Sequence, residues 1–492
     1  MQRSKSAGGK GPRARPAAHE LARYEALFAA RTGGMKSSAM REMMALTERP
    51  DVISLAGGLP DTSTFAPELY AKLMAQVASE STARALQYGP TEGMAATVRC
   101  IVEVMAAEGT LVDPSEVIVT TGGQQVIDLV CKALIDPGDV IVAEAPTYPG
   151  AVPTFSAYQA QVEQIEIDSE GMPIDALEST LDRLHSEARR PKFIYTIPNF
   201  QNPGGVTMSL ARRRRLVEVA RERELLVLED NPYGLLRYEG EALPTLYSLD
   251  AEAIGHPGGS DLVIYLGTFS KILSPGLRLG WAVAPAPVLE KLNLGKQGSD
   301  LCSSSVTQMF VAAYFAERGT ESSPPGPAWV EYVERLKRLY RRRRDVMLES
   351  LEEHFGGRAS WTHPEGGLFI WATMNGNVDT TDLLARSEGV AFVPGRAAYV
   401  DGRRGSSSMR LNFAGVPDEN IREGIRRIGR TMGGDSGLLG TLTGSPPVAS
   451  SAPAATRPKP KPEEPSPLAD IVALPRRDAQ DPSRPVRRRR DR

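Results

Sequence analysis

LVIYLGTFSKILSPGLRLGW, residues 262–281, is the stretch from which the rest of the chain is read. Its apolar, β-branched opening, 262–266, reads as a buried strand that ends at a tight turn begun by Gly267. The turn gathers Thr268, Ser270 and Lys271, and Arg278 follows Pro275 and Gly276. Hydroxyls and a cation beside a lysine suit an anionic phosphate. A lysine drawn into a half-apolar turn can also lose its proton and act as a nucleophilic amine. Together these are what a pyridoxal phosphate Schiff base needs. An isolated Ser-Lys pair is more often surface loop, so the reading depends on the other motifs.

The chain has 492 residues, enough for two structured domains plus tails. A formal net charge of -2 gives no overall bias toward nucleic acid or an anionic membrane. Cys100, Cys131 and Cys302 stand far apart without metal-ligand spacing, which implies free thiols in a reducing compartment and neither a disulfide framework nor a zinc site. There is no long apolar run for a membrane span, and no apolar signal core follows the basic N-terminus. The expectation is a cytoplasmic protein.

Taken in order, 1–20 is a basic segment expected to be disordered, and 21–60 an N-terminal arm that joins a smaller domain. Short helices are expected at 21–28 and 39–46. Next comes SLAGGLP, whose paired glycines, Gly57 and Gly58, let backbone approach a ligand closely. Residues 61–320 read as the large domain, with an amphipathic helix at 67–83, the turn-rich QYGPTEG holding Tyr88, and a helix at 92–108. Strand 117–120 runs into TTGGQQ and a helix at 126–134. That succession brings free backbone N–H groups and the positive end of a helix dipole to one point, suited to phosphate.

Strand 140–143 leads to APTYPG, where Tyr148 is held between prolines. Strand 192–197 leads to PNFQNPGG, and helix 210–223 to strand 225–228 and EDNPYG. Strands alternating with helices imply a doubly wound parallel sheet with ligands at the strands' carboxyl ends, where each motif falls. Residues 321–432 read as a smaller α+β domain, with a charged helix at 329–351 and short strands at 364–371, 390–395 and 409–413. The run Arg341 to Arg344 is read as a solvated helix face. After Gly433 the composition turns to Pro, Ala, Ser and charge, so 433–492 is expected to be a disordered tail.

The chemistry of a pyridoxal phosphate site assigns a task to each motif. Lys271 would carry the cofactor and later move the substrate proton, and Asp230 would pair with the pyridine nitrogen. Tyr233 and Asn202 would hydrogen-bond the ring's phenolic oxygen while Tyr148 stacks on its face. Gly123, Gln124, Thr268, Ser270 and Arg278 would bind the phosphate. Arg410 would grip the substrate carboxylate, with Asn202 and Gly58 beside it. Singly, Asp230 also fits a cap, Asn202 a turn and Arg410 a surface ion pair; the case rests on their joint occurrence at strand ends.

The set SLAGGLP, QYGPTEG, TTGGQQ, APTYPG, PNFQNPGG, EDNPYG, TFSKILSPGLRLGW and MRLNFA resembles the class I/II aminotransferases of pyridoxal phosphate fold type I. Within that family it looks most like the 2-aminoadipate, kynurenine and multisubstrate aminotransferases. The resemblance covers roughly residues 39–432. It implies pyridoxal 5′-phosphate as cofactor, Lys271 as the Schiff-base lysine, amino acid and 2-oxo acid substrates, and a homodimer in which Tyr88 reaches the partner subunit's phosphate. Arg41 resembles an N-terminal arginine that contacts the substrate side chain in some members. Gly123 departs from relatives that often carry serine there. The implied reaction is amino-group transfer to a 2-oxo acid, 2-oxoglutarate above others, by ping-pong chemistry. A lyase or decarboxylase on the same fold, or a regulatory protein acting through its basic tail, are the alternatives; neither membrane nor nucleic acid is an expected partner.

Overall fold

The computed structural model describes residues 24, 27–35, 51–320, 326–376, 378–387 and 389–442. The helix expected at 39–46 and the residue Arg41 lie outside them, as does most of the helix expected at 21–28, whose end at Leu27 and Phe28 forms a turn and a bend.

In chain order the strands are β1 (Ile53–Ser54), β2 (Val117–Thr120), β3 (Val140–Ala145), β4 (Gln161–Glu166), β5 (Pro191–Thr196), β6 (Leu226–Asp230), β7 (Val263–Thr268), β8 (Gly280–Val283), β9 (Ala359–Trp361), β10 (Phe369–Met374), β11 (Val390–Ala391), β12 (Val393–Pro394) and β13 (Ser408–Asn412). The large sheet runs β2-β8-β7-β6-β5-β3-β4. Its neighbours from β7 to β4 are parallel. β8 runs antiparallel to both β2 and β7. The cause is the connection after β7: it holds only the Lys271 turn and a 3-10 turn, Pro275–Leu277, too little chain for a crossover helix.

Elsewhere helices Ala151–Ala157, Ile174–Ser186, Leu210–Glu222 and Leu246–Ile254 supply the crossovers, so the carboxyl ends of β3, β5, β6 and β7 share one edge. β2, β3, β7 and β8 are buried along their whole length, as their continuous apolar runs require of strands covered on both faces. Alternate residues feed two cores: Val119, Ile194 and Tyr265 pack on one side, Ile118, Phe193 and Ile264 on the other. Each such buried side chain contributes about 1.5–3 kcal/mol relative to exposure.

The expected helix 67–83 is Pro67–Glu80, and the one expected at 92–108 is Ala95–Ala107. Helices Ser305–Ala316 and Ala286–Gln297, and strand β4, complete the layers. A four-stranded antiparallel sheet, β12-β13-β10-β9, and a parallel pair, β1 with β11, follow. The strand expected from 364 begins only at Phe369, because the preceding turn pairs Gly366 with Arg237.

Two expectations need correction. The run Arg341 to Arg344, on helix Ala328–Phe355, is not simply a solvated face: Arg343 and Arg344 are buried. Arg343 pairs with Asp61 and donates to the Ala414 carbonyl, while Arg344 binds Glu239 at 2.8 Å and the Pro364 carbonyl at 2.9 Å. The helix's 3.6-residue period turns two of the four arginines inward, where acids from distant segments meet them. The boundary expected at Gly433 falls inside the last helix, Asp418–Leu442. The first helix-stopping proline after it comes only at Pro446.

Candidate active site

At the shared strand edge lies a cavity of about 360 Å³, and twelve sequence-derived candidates line it: Gly58, Gly123, Gln124, Tyr148, Asn202, Asp230, Tyr233, Thr268, Ser270, Lys271, Arg278 and Arg410. Their convergence follows from the parallel strands. Tyr148 follows β3, Asn202 follows β5, Asp230 ends β6, and Thr268 ends β7 just before Lys271. Arg410 comes from β13, beside β10 and its Phe369.

Lys271 Nζ donates to the Gly58 carbonyl at 2.5 Å, so the SLAGGLP turn closes over the lysine. Burial pushes its ammonium down to about 8, and the charges of Arg410 and Arg278 push the same way, against the pull of Asp230. Such a lysine is part neutral amine near physiological pH. Asp230 is buried, which raises its carboxyl to about 6; the hydroxyl of Tyr195, donating at 2.6 Å, and the charge of Lys271 hold it down.

Arg410 is 1% exposed. It donates to Asn202 Oδ1 at 2.9 Å and to the Ala56 carbonyl at 2.7 Å, and its guanidinium lies 4.3 Å from the Phe369 ring centre. Burial lowers it to about 10, which leaves it charged at neutral pH. Asn202 also lies 3.5 Å from the Tyr233 hydroxyl, whose ring meets Phe369 edge-on. Desolvation raises Tyr233 and Tyr148 above the ordinary phenol range, so both remain neutral donors.

On the opposite side, helix Gly123–Leu134 begins with no side-chain cap. The backbone N–H groups of Gly123 and Gln124 therefore remain for a ligand, while that of Gln125 donates to the Gly122 carbonyl at 3.1 Å. Gly122 precedes it at φ 79°, a backbone angle that calls for glycine, and a Cβ there would also push the Arg278 guanidinium aside. At Gly123 a Cβ would lie 2.9 Å from Leu266 Cδ2, so a serine there would require that methyl to shift. Thr268 Oγ1 lies 3.0 Å from Ser270 Oγ and accepts from the Ser270 backbone N–H at 3.1 Å. The Gln124 amide is committed elsewhere, to the Gly150 carbonyl and Thr154 Oγ1, so what it offers the cavity is backbone.

The donor set fits a phosphorylated aldehyde: an amine of lowered basicity, a buried carboxylate, and an uncapped helix start flanked by hydroxyls and Arg278. Tyr88 does not line this cavity and is 79% exposed. Sequence reasoning missed Tyr195, Phe369 and Leu59. It also missed the buried Glu144, which accepts from Gln201 Nε2 at 3.0 Å and the Ile197 N–H at 3.2 Å and so ties the Tyr148 and Asn202 loops together. Only the adjacency of β5 to β6 could have pointed to Tyr195.

Residues 50–428 match the family model described as aminotransferase class I and II. The chain belongs to the class I and II aminotransferases. This aminotransferase is 42% identical over 412 residues to aromatic-amino-acid aminotransferase 1 of Thermococcus litoralis, covering 83% of this chain and 94% of that protein. It is 40% identical to 2-aminoadipate transaminase of Thermus thermophilus, covering 83% and 96%. Among solved structures, the α-aminoadipate aminotransferase of Thermus thermophilus complexed with N-(5′-phosphopyridoxyl)-L-leucine superposes with a TM-score of 0.75 at 37% identity, over 85% of this chain and 99% of that one. Among the described residues of this aminotransferase, no helix is long and apolar enough to cross a membrane.

Proposed function

We propose that this aminotransferase binds pyridoxal 5′-phosphate at Lys271 and moves the amino group of an L-amino acid to 2-oxoglutarate in two separate half-reactions. The observation that carries the reading is the placement of Lys271, with its ammonium lowered to about 8, in one cavity with Asp230, Arg410 and the uncapped helix start at Gly123. When bound, the cofactor supplies an aldehyde that takes up amines and a ring that accepts the electrons of a broken Cα–H bond.

Lys271 Nζ holds the cofactor, then, as a free amine, carries the proton away from the substrate Cα. Asp230 keeps a proton on the ring nitrogen, and Tyr195 keeps Asp230 ionised for that task. Asn202 and Tyr233 donate to the phenolic oxygen, Tyr148 covers the ring, and Gly123, Gln124, Thr268, Ser270 and Arg278 take the phosphate. Arg410 orients the substrate through its carboxylate, beside Gly58 and Asn202. Arg41 is the proposed contact for the substrate side chain. The active unit is a homodimer in which the exposed Tyr88 completes the second copy's phosphate site. The names of the relatives support aromatic amino acids and 2-aminoadipate as donors.

The test is steady-state kinetics with the amino acid varied at several fixed 2-oxoglutarate concentrations. Parallel double-reciprocal lines are expected, with one equivalent of product per chain when the oxo acid is omitted. Sustained turnover without any oxo acid, releasing ammonia or carbon dioxide, would contradict it.

A further inference from the structure

Behind the helix start, outside the cavity, stands a second cluster that nothing above employs. Lys296, on helix Ala286–Gln297, has its side chain fully buried and contacts Asp300 at 2.8 and 3.0 Å. Asp300 Oδ2 also accepts from Thr121 Oγ1 at 2.6 Å and from Gln125 Nε2 at 2.8 Å. The backbone N–H of Thr121 donates to Gln125 Oε1 at 2.7 Å, and its carbonyl accepts from Arg278 Nη2 at 3.4 Å. Thr121 is thus held at its amide, its carbonyl and its hydroxyl, and it is the residue that leads into Gly122 and Gly123.

We propose that Asp300, with Lys296, is the positioning residue of the phosphate cradle, fixing the Thr121 turn so that the first N–H groups of helix Gly123–Leu134 and the Arg278 guanidinium converge on one anion. The proposal rests on the cofactor reading above. Burial works against the Asp300 charge, but the hydrogen bonds from Lys296, Thr121 and Gln125 outweigh it and keep the carboxyl below its ordinary range. Lys296 neutralises that charge locally, so the carboxylate can organise the loop without repelling a phosphate on its far side. A preformed cradle binds more tightly than one that must order on binding, because the ordering cost falls on the free protein instead of the complex.

The experiment is equilibrium binding to apoprotein, by absorbance titration, of pyridoxal 5′-phosphate and of pyridoxal, which lacks the phosphate. Thr121→Val should weaken pyridoxal phosphate about tenfold, the loss of one charge-assisted hydrogen bond, and Asp300→Ala, which removes every contact of the carboxylate, should weaken it at least as much. Pyridoxal affinity should stay unchanged, and Thr121→Ser, which restores the hydroxyl, should recover the wild-type value. Equal weakening of both ligands would reduce Asp300 to general packing and overturn the proposal, as would wild-type affinities in both variants. Thr121→Val retains all three contacts of Asp300 with Lys296 and Gln125, so it remains informative if Asp300→Ala fails to fold. A wild-type protein that binds neither ligand would overturn the cofactor reading itself, and this proposal with it.

Discussion

The phenol of Tyr195 donates a 2.6 Å hydrogen bond to Asp230 Oδ2 at the buried end of two neighbouring parallel strands. It is the principal interaction that opposes the effect of burial on Asp230, whose carboxyl stands at about 6. Tyr195→Phe removes that opposition without changing the ring, so the carboxyl moves further up. The acidic limb of the kcat/KM profile should shift to higher pH, with little change on the alkaline side. A pH-rate study of wild type and variant checks this, and an unmoved acidic limb would refute the assignment of Tyr195.

Arg410 presents a buried guanidinium to the cavity, steadied by Asn202 and the Ala56 carbonyl. Arg410→Leu should lower kcat/KM for amino acids about a hundredfold, the loss expected of a charge-assisted carboxylate contact. With 2-phenylethylamine, which has no carboxylate, the same variant should lose little. Equal losses on both substrates would mean that Arg410 supports the fold and does not read the carboxylate. Arg410→Lys should recover only part of the effect, since an ammonium cannot make the paired contact.

Glu144 lies 1% exposed between the Tyr148 and Asn202 loops, and burial raises its carboxyl from 4.5 to about 7. The native state therefore holds this proton more tightly than the unfolded chain. The resulting stability is fully present below pH 4.5 and is lost as pH rises through about 7. Asp230 acts in the same sense, over a window that ends near 6. Apoprotein melting temperatures should decline from pH 4.5 toward 7.5, and Glu144→Gln should flatten the decline, a change of about 3 kcal/mol at most. A wild-type melting temperature that rises over this interval would contradict the sign.

Gly122 stands at φ 79° with Arg278 pressed against the place a side chain would take. Gly122→Ala should destabilise the protein by about 1–2 kcal/mol through backbone strain alone. It should also displace Arg278 and weaken pyridoxal phosphate binding. Denaturant melts and cofactor titration measure the two effects separately.

Much of this arrangement was legible in the sequence because its parts are local. Lys271, Asp230, Asn202 and Gly123 each follow a strand signal by two to five residues, so a parallel sheet brings them to one edge without further information. The relations that escaped are those between segments distant along the chain. Tyr195 and Asp230 meet only because β5 lies beside β6, and Arg343 meets Asp61 across 282 positions, so its run read as a solvated basic face. The reversal of β8 follows from a local feature, the link from β7 that is too short for a crossover helix, but it tells only once 280–283 is known to be a strand. Tyr88 lies on the surface, away from the cavity, and Arg41 falls outside the described residues.

The most direct test of the central claim is to load the protein with pyridoxal 5′-phosphate, reduce it with borohydride, and locate the modified lysine by peptide mass spectrometry. A single adduct is predicted on Lys271, and it should disappear when an amino acid substrate is added before the reductant, because the substrate amine displaces Nζ. An adduct on another lysine, or one on Lys271 that persists at full yield in the presence of every amino acid donor tested, would contradict the account.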